Sequence, residues 1–276
     1  MVAADEKKTT QAPVSADALD DGFDLEEIYS DNEEVVAEDV TGTKRKAPSS
    51  AEKKKNDKKK KKKAKISDDP FGHMNIWTEP VSTQYQYVLD RQKKALPDLS
   101  AVELEGDQAL VESAFVDNEK FTQEHVLEAL PNYIKFGVAR HKRLTKAPTV
   151  KASPTALVIT HAAVRAVDLV RALKEFSTTA KIAKLFAKHL KVEEQIQFLD
   201  KQAVHLGVGT PNRIKALVES GHLKLDQLEL VVIDTERNAK RFNIFDNDSV
   251  RKDLFSFLGE HIASRMQNGQ TKLGLF

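Results

Sequence analysis

The sequence predicts an α/β fold, a mostly parallel sheet flanked by helices, with a long disordered N-terminal tail. Three observations carry this expectation. Leu228-Glu229-Leu230-Val231-Val232-Ile233 is a nearly unbroken apolar run, as in a strand covered on both faces of a parallel sheet, and it ends on Asp234. Ahead of it, Gly209-Thr210-Pro211 marks a helix start: proline is tolerated at a first helical position, and Thr210 is placed to cap the exposed amides. Ile214, Leu217 and Val218 then fall on one apolar face, and Gly221 stops the helix. Apolar runs and helix-periodic segments alternate over the last 124 residues in the same way, the pattern of strand–helix–strand units.

The 276 residues suit one medium domain plus a tail, or two small domains. The formal net charge of +1 conceals strong segregation. Acids dominate before residue 41, including Asp17, Asp20, Asp21, Asp24, Glu26 and Glu27. Lys44, Arg45 and Lys46 follow, then a lysine run of Lys53, Lys54, Lys55, Lys58, Lys59, Lys60, Lys61, Lys62 and Lys63. Opposed charge blocks with little apolar content cannot bury enough surface to offset chain entropy, so residues 1–68 are expected to be disordered. The basic block fits a nuclear localisation signal read by importin, and equally a polyelectrolyte arm on nucleic acid. There are no cysteines, which excludes disulfides and thiolate metal sites. No secretory signal peptide and no membrane-length apolar run is present.

Residues 69–152 are expected to form a helical and extended segment that packs on the core. Trp77 is the one tryptophan and is read as its anchor. A helix is expected from Thr78-Glu79-Pro80 to Pro97, with Val81, Tyr85, Val88 and Leu89 on its apolar face, and a further turn from Ala101 to Glu105. Thr122 to His125 is read as the cap of a helix with Val126, Leu127 and Leu130 inside. From Gly137 to Ala152 the chain is basic and loop-like.

Residues 153–276 are read as the α/β core. Strands are expected at Ala156–Ile159, at Ile182–Phe186, at Ala203–Val208, at Leu228–Ile233 and from Lys272 to the last residue. Lys181–Leu190 fits helical spacing by its residues, and the strand is chosen there on the helicase-like element order that the resemblance given below implies. Helices are expected over His161–Phe176, Val192–Lys201 and Pro211–Glu219, with one long helix from Ser249 to Gln267 closed by Gly269.

Gly209-Thr210-Pro211-Asn212-Arg213 resembles the T-P-G-R motif of the first RecA-like domain of DEAD-box helicases, and Val232-Ile233-Asp234-Thr235-Glu236 stands where those enzymes carry V-L-D-E-A-D. The resemblance implies that the sheet is RecA-like. It also marks departures. Asp234 keeps a metal-holding position, but Thr235 replaces the acid that would activate water, and Glu236 lies one place along. A working helicase would carry a G-x-x-x-x-G-K-[ST] phosphate loop upstream of Ala156; no glycine in the chain precedes a lysine. A second RecA-like domain is not expected either.

The run Ala180-Lys181-Ile182-Ala183-Lys184-Leu185-Phe186-Ala187-Lys188-His189-Leu190-Lys191, together with the T-P-N-R turn and Val232-Ile233-Asp234, resembles the Cms family of DEAD-box-like nucleolar proteins of the small-subunit processome. That resemblance, over roughly residues 70–276, implies a non-catalytic RNA-binding assembly factor of the 90S pre-ribosome acting in 18S rRNA maturation, located in nucleus and nucleolus. Its implied partners are pre-ribosomal RNA and processome proteins, and no cofactor, metal or membrane is expected. The alternatives are a protein-binding nuclear scaffold linked to DNA replication and cell-cycle control, and a divergent ATP-dependent helicase. The RNA-contact candidates are Thr160, Arg165, Lys184, Lys188, His189, Gly209, Thr210, Asn212 and Arg213.

Overall fold

The structure is a computed structural model that describes residues 71, 74–239 and 241–276. The acidic and lysine-rich tail, with its expected localisation signal, lies outside the described residues. Five strands, β1 (Ala156–Ile159), β2 (Ile182–Leu185), β3 (Leu206–Gly209), β4 (Leu230–Ile233) and β5 (Lys272–Leu275), form one sheet in the order β2-β3-β1-β4-β5. Every pairing is parallel, so the helix-flanked sheet is wholly parallel where the sequence predicted mostly parallel. The strand chosen at Ile182 is present. Strands β1, β3 and β4 are buried at every position, which explains their continuous apolar runs.

The helices are α1 (Val81–Ala95), α2 (Ala101–Glu105), α3 (Leu130–Gly137), α4 (Ala163–Ala172), α5 (Val192–Lys201), α6 (Pro211–Glu219), α7 (Asp248–Phe257) and α8 (Ala263–Gln267). Right-handed crossovers fix their sides. The move from β1 to β2 runs one way along the sheet and puts α4 on one face, where α3 joins it. The moves from β2 to β3, β3 to β4 and β4 to β5 run the other way and put α5, α6 and α7 on the opposite face, where α1 packs on α7.

Local chemistry shifts several expected boundaries. Helix α1 starts after Pro80 and buries Gln84, Tyr87, Val88, Arg91, Gln92 and Ala95, a face turned from the one the apolar residues suggested. Gln84 is held by the carbonyl of Glu79 (2.8 Å), and Tyr87 pairs with Asn243. Thr122 caps no helix: a 3-10 turn at Leu127–Ala129 leads into α3, and Val126 is exposed. Helix α4 ends at Ala172 and continues as a 3-10 turn, Lys174–Thr178, that seats Phe176. The long C-terminal helix is interrupted by a π turn, Leu258–Ile262, and Gly269 closes it at φ +67°.

Candidate nucleic-acid interface

In parallel α/β sheets ligands sit beyond the carboxyl ends of the strands. Here that end gathers the segments after β1 (Thr160–Arg165), β2 (Phe186–Leu190), β3 (Thr210–Arg213) and β4 (Asp234–Arg237). The candidates drawn from separate stretches of sequence are therefore brought to one edge of the domain, in two different environments.

The first environment is closed. Asp234 is buried, and its carboxylate accepts two hydrogen bonds from the Arg165 guanidinium, Nε to Oδ2 at 3.1 Å and Nη2 to Oδ1 at 3.0 Å. Thr160, itself fully buried, donates its hydroxyl to Oδ2 at 2.7 Å. Thr160 and Arg165 thus hold Asp234, and their polar groups are turned inward. Thr235 donates N–H and hydroxyl to the carbonyl of Phe276 and is buried, while Glu236 is exposed. Burial pushes the neighbouring His161 imidazole below its ordinary pKa. A cavity of about 430 Å³ opens beside this group, walled by Trp77, His125, Asp234, Arg237 and Phe276. Trp77 stacks on His125 with ring centroids 4.0 Å apart.

Beside β5 the chain makes a single parallel bridge, Phe115 with Leu273, then a loop, then α3. Phosphate loops are built in the order strand, loop, helix; here a single isolated bridge stands in place of the strand and two 3-10 turns lie in the loop, earlier in the chain than the sequence suggested. Side chains fill the loop. Asn118 Nδ2 donates to the carbonyls of Leu275 (2.8 Å) and Trp77 (2.9 Å), and Tyr133 donates to Asn118 Oδ1 at 2.7 Å. Glycine at 274 is needed for this close approach, because a Cβ there would lie 2.6 Å from the Tyr133 hydroxyl.

The second environment is open. Gly209 ends β3 against β2 so closely that a Cβ would meet the Leu185 carbonyl. The tight pairing sets α6 directly after it, with Pro211 at its first position and Asn212 and Arg213 following in its first turn. The Thr210 side chain does not cap them, contrary to expectation; it donates to Asn212 Oδ1 at 3.4 Å. Asn212 and His189 are exposed, and His189 holds a positive φ of 58° at the tip of the neighbouring loop. Lys184 and Lys188 are half-buried along the same edge. Arg213 points back into the domain, donating to the carbonyl of Leu190 (3.1 Å) and to Gln195 Oε1 (2.7 Å). It ties the His189 loop to the start of α6. Sequence reasoning missed Gln195, whose amide also donates to the carbonyls of Lys184 and Phe186.

Residues 29–276 match the family described as "CMS1: U3-containing 90S pre-ribosomal complex subunit". The chain is 40% identical over 149 residues to Protein CMSS1 of Homo sapiens, covering 54% of this chain and 53% of that protein. It is 38% identical over 151 residues to Protein CMS1 of Chaetomium thermophilum, covering 54% of this chain and 60% of that protein. The matched stretch thus spans about half the length of the human relative. A solved structure of S. cerevisiae Dbp5 bound to Nup159, Gle1, IP6 and ADP aligns at a TM-score of 0.38 and 15% identity, over 72% of this chain and 46% of that chain.

Proposed function

The chain belongs to the CMS1 family of U3-containing 90S pre-ribosomal complex subunits, and from that premise we propose that it is a non-catalytic RNA-binding assembly factor acting in ribosome biogenesis and 18S rRNA maturation. One observation carries the non-catalytic part: the bidentate Arg165–Asp234 pair, reinforced by Thr160. An aspartate that is to hold a hydrated magnesium ion must offer free oxygen lone pairs to it. Here a guanidinium covers both oxygens and repels a cation. The Asn118–Tyr133 plug in the neighbouring loop argues the same way, since phosphate loops need open backbone amides.

RNA binding is assigned to the open edge. Phosphate oxygens are commonly contacted by amides at helix N-termini and by basic and polar side chains. The first turn of α6, Thr210, Asn212, His189, Lys184 and Lys188 form such a set. Arg213 keeps this set in register through Leu190 and Gln195, rather than reaching outward itself. Gly209 supplies the close backbone turn, and Asp234, Thr235 and Glu236 belong to the closed neighbour. The lysine run of the tail adds sequence-blind affinity and importin-mediated entry to the nucleus and nucleolus, where pre-ribosomal RNA and processome proteins are met.

The test is ATP turnover by the purified full chain, with and without RNA. The expected rate is indistinguishable from buffer under both conditions. RNA-stimulated hydrolysis that disappears in Asp234→Asn would refute the non-catalytic reading.

A further inference from the structure

The opposite pole of the sheet carries a second concentration of charge that the interface above does not use. Between Ala129 and Val167 the sequence has no acidic residue and seven lysines and arginines. Five of these cations lie in residues 140–151, and the structure lays that segment as a strap under the amino ends of four strands. Arg140 forms an ion pair with Glu229, the residue before β4. The carbonyl of Leu144 accepts from Thr179, ahead of β2 (3.2 Å), and that of Lys146 accepts from His205, the residue before β3 (2.5 Å). Ala152 bonds through its backbone to Gln202 and Lys224. Leu144 and Ala152 are buried and anchor the strap, while the intervening charged side chains are exposed.

The local conformation organises these charges. His141–Thr145 is a 3-10 helix, in which side chains three apart eclipse. Lys142 and Arg143 lie within this turn, and Arg140 and Lys146 flank it as its cap residues, so four cations are held within seven consecutive positions. Glu229 neutralises Arg140 and lies 3.8 Å from Arg143. Arg143 also donates to Gln227. Among the described residues, Lys142, Lys146 and Lys151 form no ion pair.

The chemistry of the patch selects its partner. The one large apolar side chain exposed within residues 139–151 is Val150, whereas a protein interface needs a buried apolar centre. No Phe, Tyr or Trp is present there to stack an unpaired base, and the one aromatic ring is the imidazole of His141. An array of five cations, with one exposed valine and one imidazole among them, fits the regular phosphate backbone of a duplex. We propose that the strap of residues 140–151 is a second RNA surface that binds the phosphate backbone of a duplex RNA segment. The strands between the two poles are each about 13 Å long (four residues at ~3.3 Å). A domain with both surfaces joins two RNA segments, and the strap's activity does not depend on the α6 turn binding RNA.

The experiment compares the full chain with Lys142→Glu/Lys146→Glu/Lys151→Glu, using fluorescence anisotropy on a short blunt-ended RNA duplex of arbitrary sequence, across a salt series. The tail is common to both proteins, so their difference reports the strap. The expected result is an affinity loss of ~10-fold or more at low salt and a salt slope smaller by about 2–3, the contribution of three phosphate contacts. The melting temperature should be unchanged. If it falls, the Lys→Gln triple variant is measured instead, with a smaller loss of the same sign expected. The triple variant is also made in an Asn212→Asp background, where the same fold loss and slope change are expected, so failure of one surface is distinguishable from failure of the other. Unaltered duplex affinity and slope in the triple variant would overturn the proposal. A loss at least as large for a polyglutamate peptide would overturn it in favour of an acidic protein partner.

Discussion

Asp234 and Arg213 are the residues whose roles the structure changes most. Each has the residue type expected for a helicase-like surface, and each is engaged inside the domain. Asp234 is held by Arg165, 69 positions earlier, and Arg213 reaches Gln195, 18 positions earlier. Arg165 was itself read as an RNA contact and Gln195 belongs to no motif, so the sequence disclosed which residues reach this end of the sheet and not which of them face solvent. Asn212 and Arg213 consequently make opposite predictions. Asn212 is exposed in the first turn of α6. Asn212→Asp puts a negative charge where the helix dipole favours it and a phosphate does not. RNA affinity should fall while the melting temperature holds or rises slightly. Arg213→Ala removes two hydrogen bonds and leaves Gln195 Oε1 without this donor, so it should cost about 1–2 kcal/mol of stability as read by denaturant melts. Unchanged RNA binding in Asn212→Asp would remove the α6 turn from the interface.

Among the elements, the strands were the most legible, because a fully buried parallel strand is written as a short apolar run and tolerates little else. The helices were harder. The C-terminal helix places Leu254, Leu258, Ile262 and Met266 inward at four-residue steps. An α-helix turns in 3.6 residues, so three such steps accumulate about one surplus residue. The π turn at Leu258–Ile262 absorbs it and keeps Ile262 and Met266 on the core side. The spacing was visible in the sequence, but its resolution by a π turn rather than a bend was not. The loop between Phe121 and α3 shows the same limit: its organising contact is the Trp77–His125 stack, made across 48 positions. His125 Nε2 is buried without a hydrogen-bond partner, and burial pushes the imidazole pKa down from 6.5 to about 4. The neutral form is therefore the one that folds. Below pH 6.5 the unfolded chain takes up a proton that the folded chain refuses until about pH 4, so stability declines through that window as pH falls. In thermal melts the wild type should lose melting temperature between pH 6.5 and 4 more steeply than His125→Phe. A shallower slope remains in the variant, because half-buried His161 acts with the same sign. Parallel profiles would contradict the assignment.

For the molecule as a whole, charge and topology divide the labour. The sheet brings four separated loops to its carboxyl end and a basic strap to its amino end, and the helical segment before it packs across α7 and closes the loop after Phe115 with Trp77, Asn118 and Tyr133. The sequence showed the absence of a glycine–lysine loop but not that side chains occupy the corresponding space. The central claim is that this fold holds RNA at its carboxyl end without acting on nucleotide. Its most direct test is ultraviolet crosslinking of the full chain to pre-ribosomal RNA, with crosslinked peptides mapped by mass spectrometry. The account predicts crosslinks within residues 184–189 and 209–213, and none at the buried Thr160 or Asp234. Crosslinks confined to the lysine-rich tail, with residues 184–213 unmarked, would contradict it.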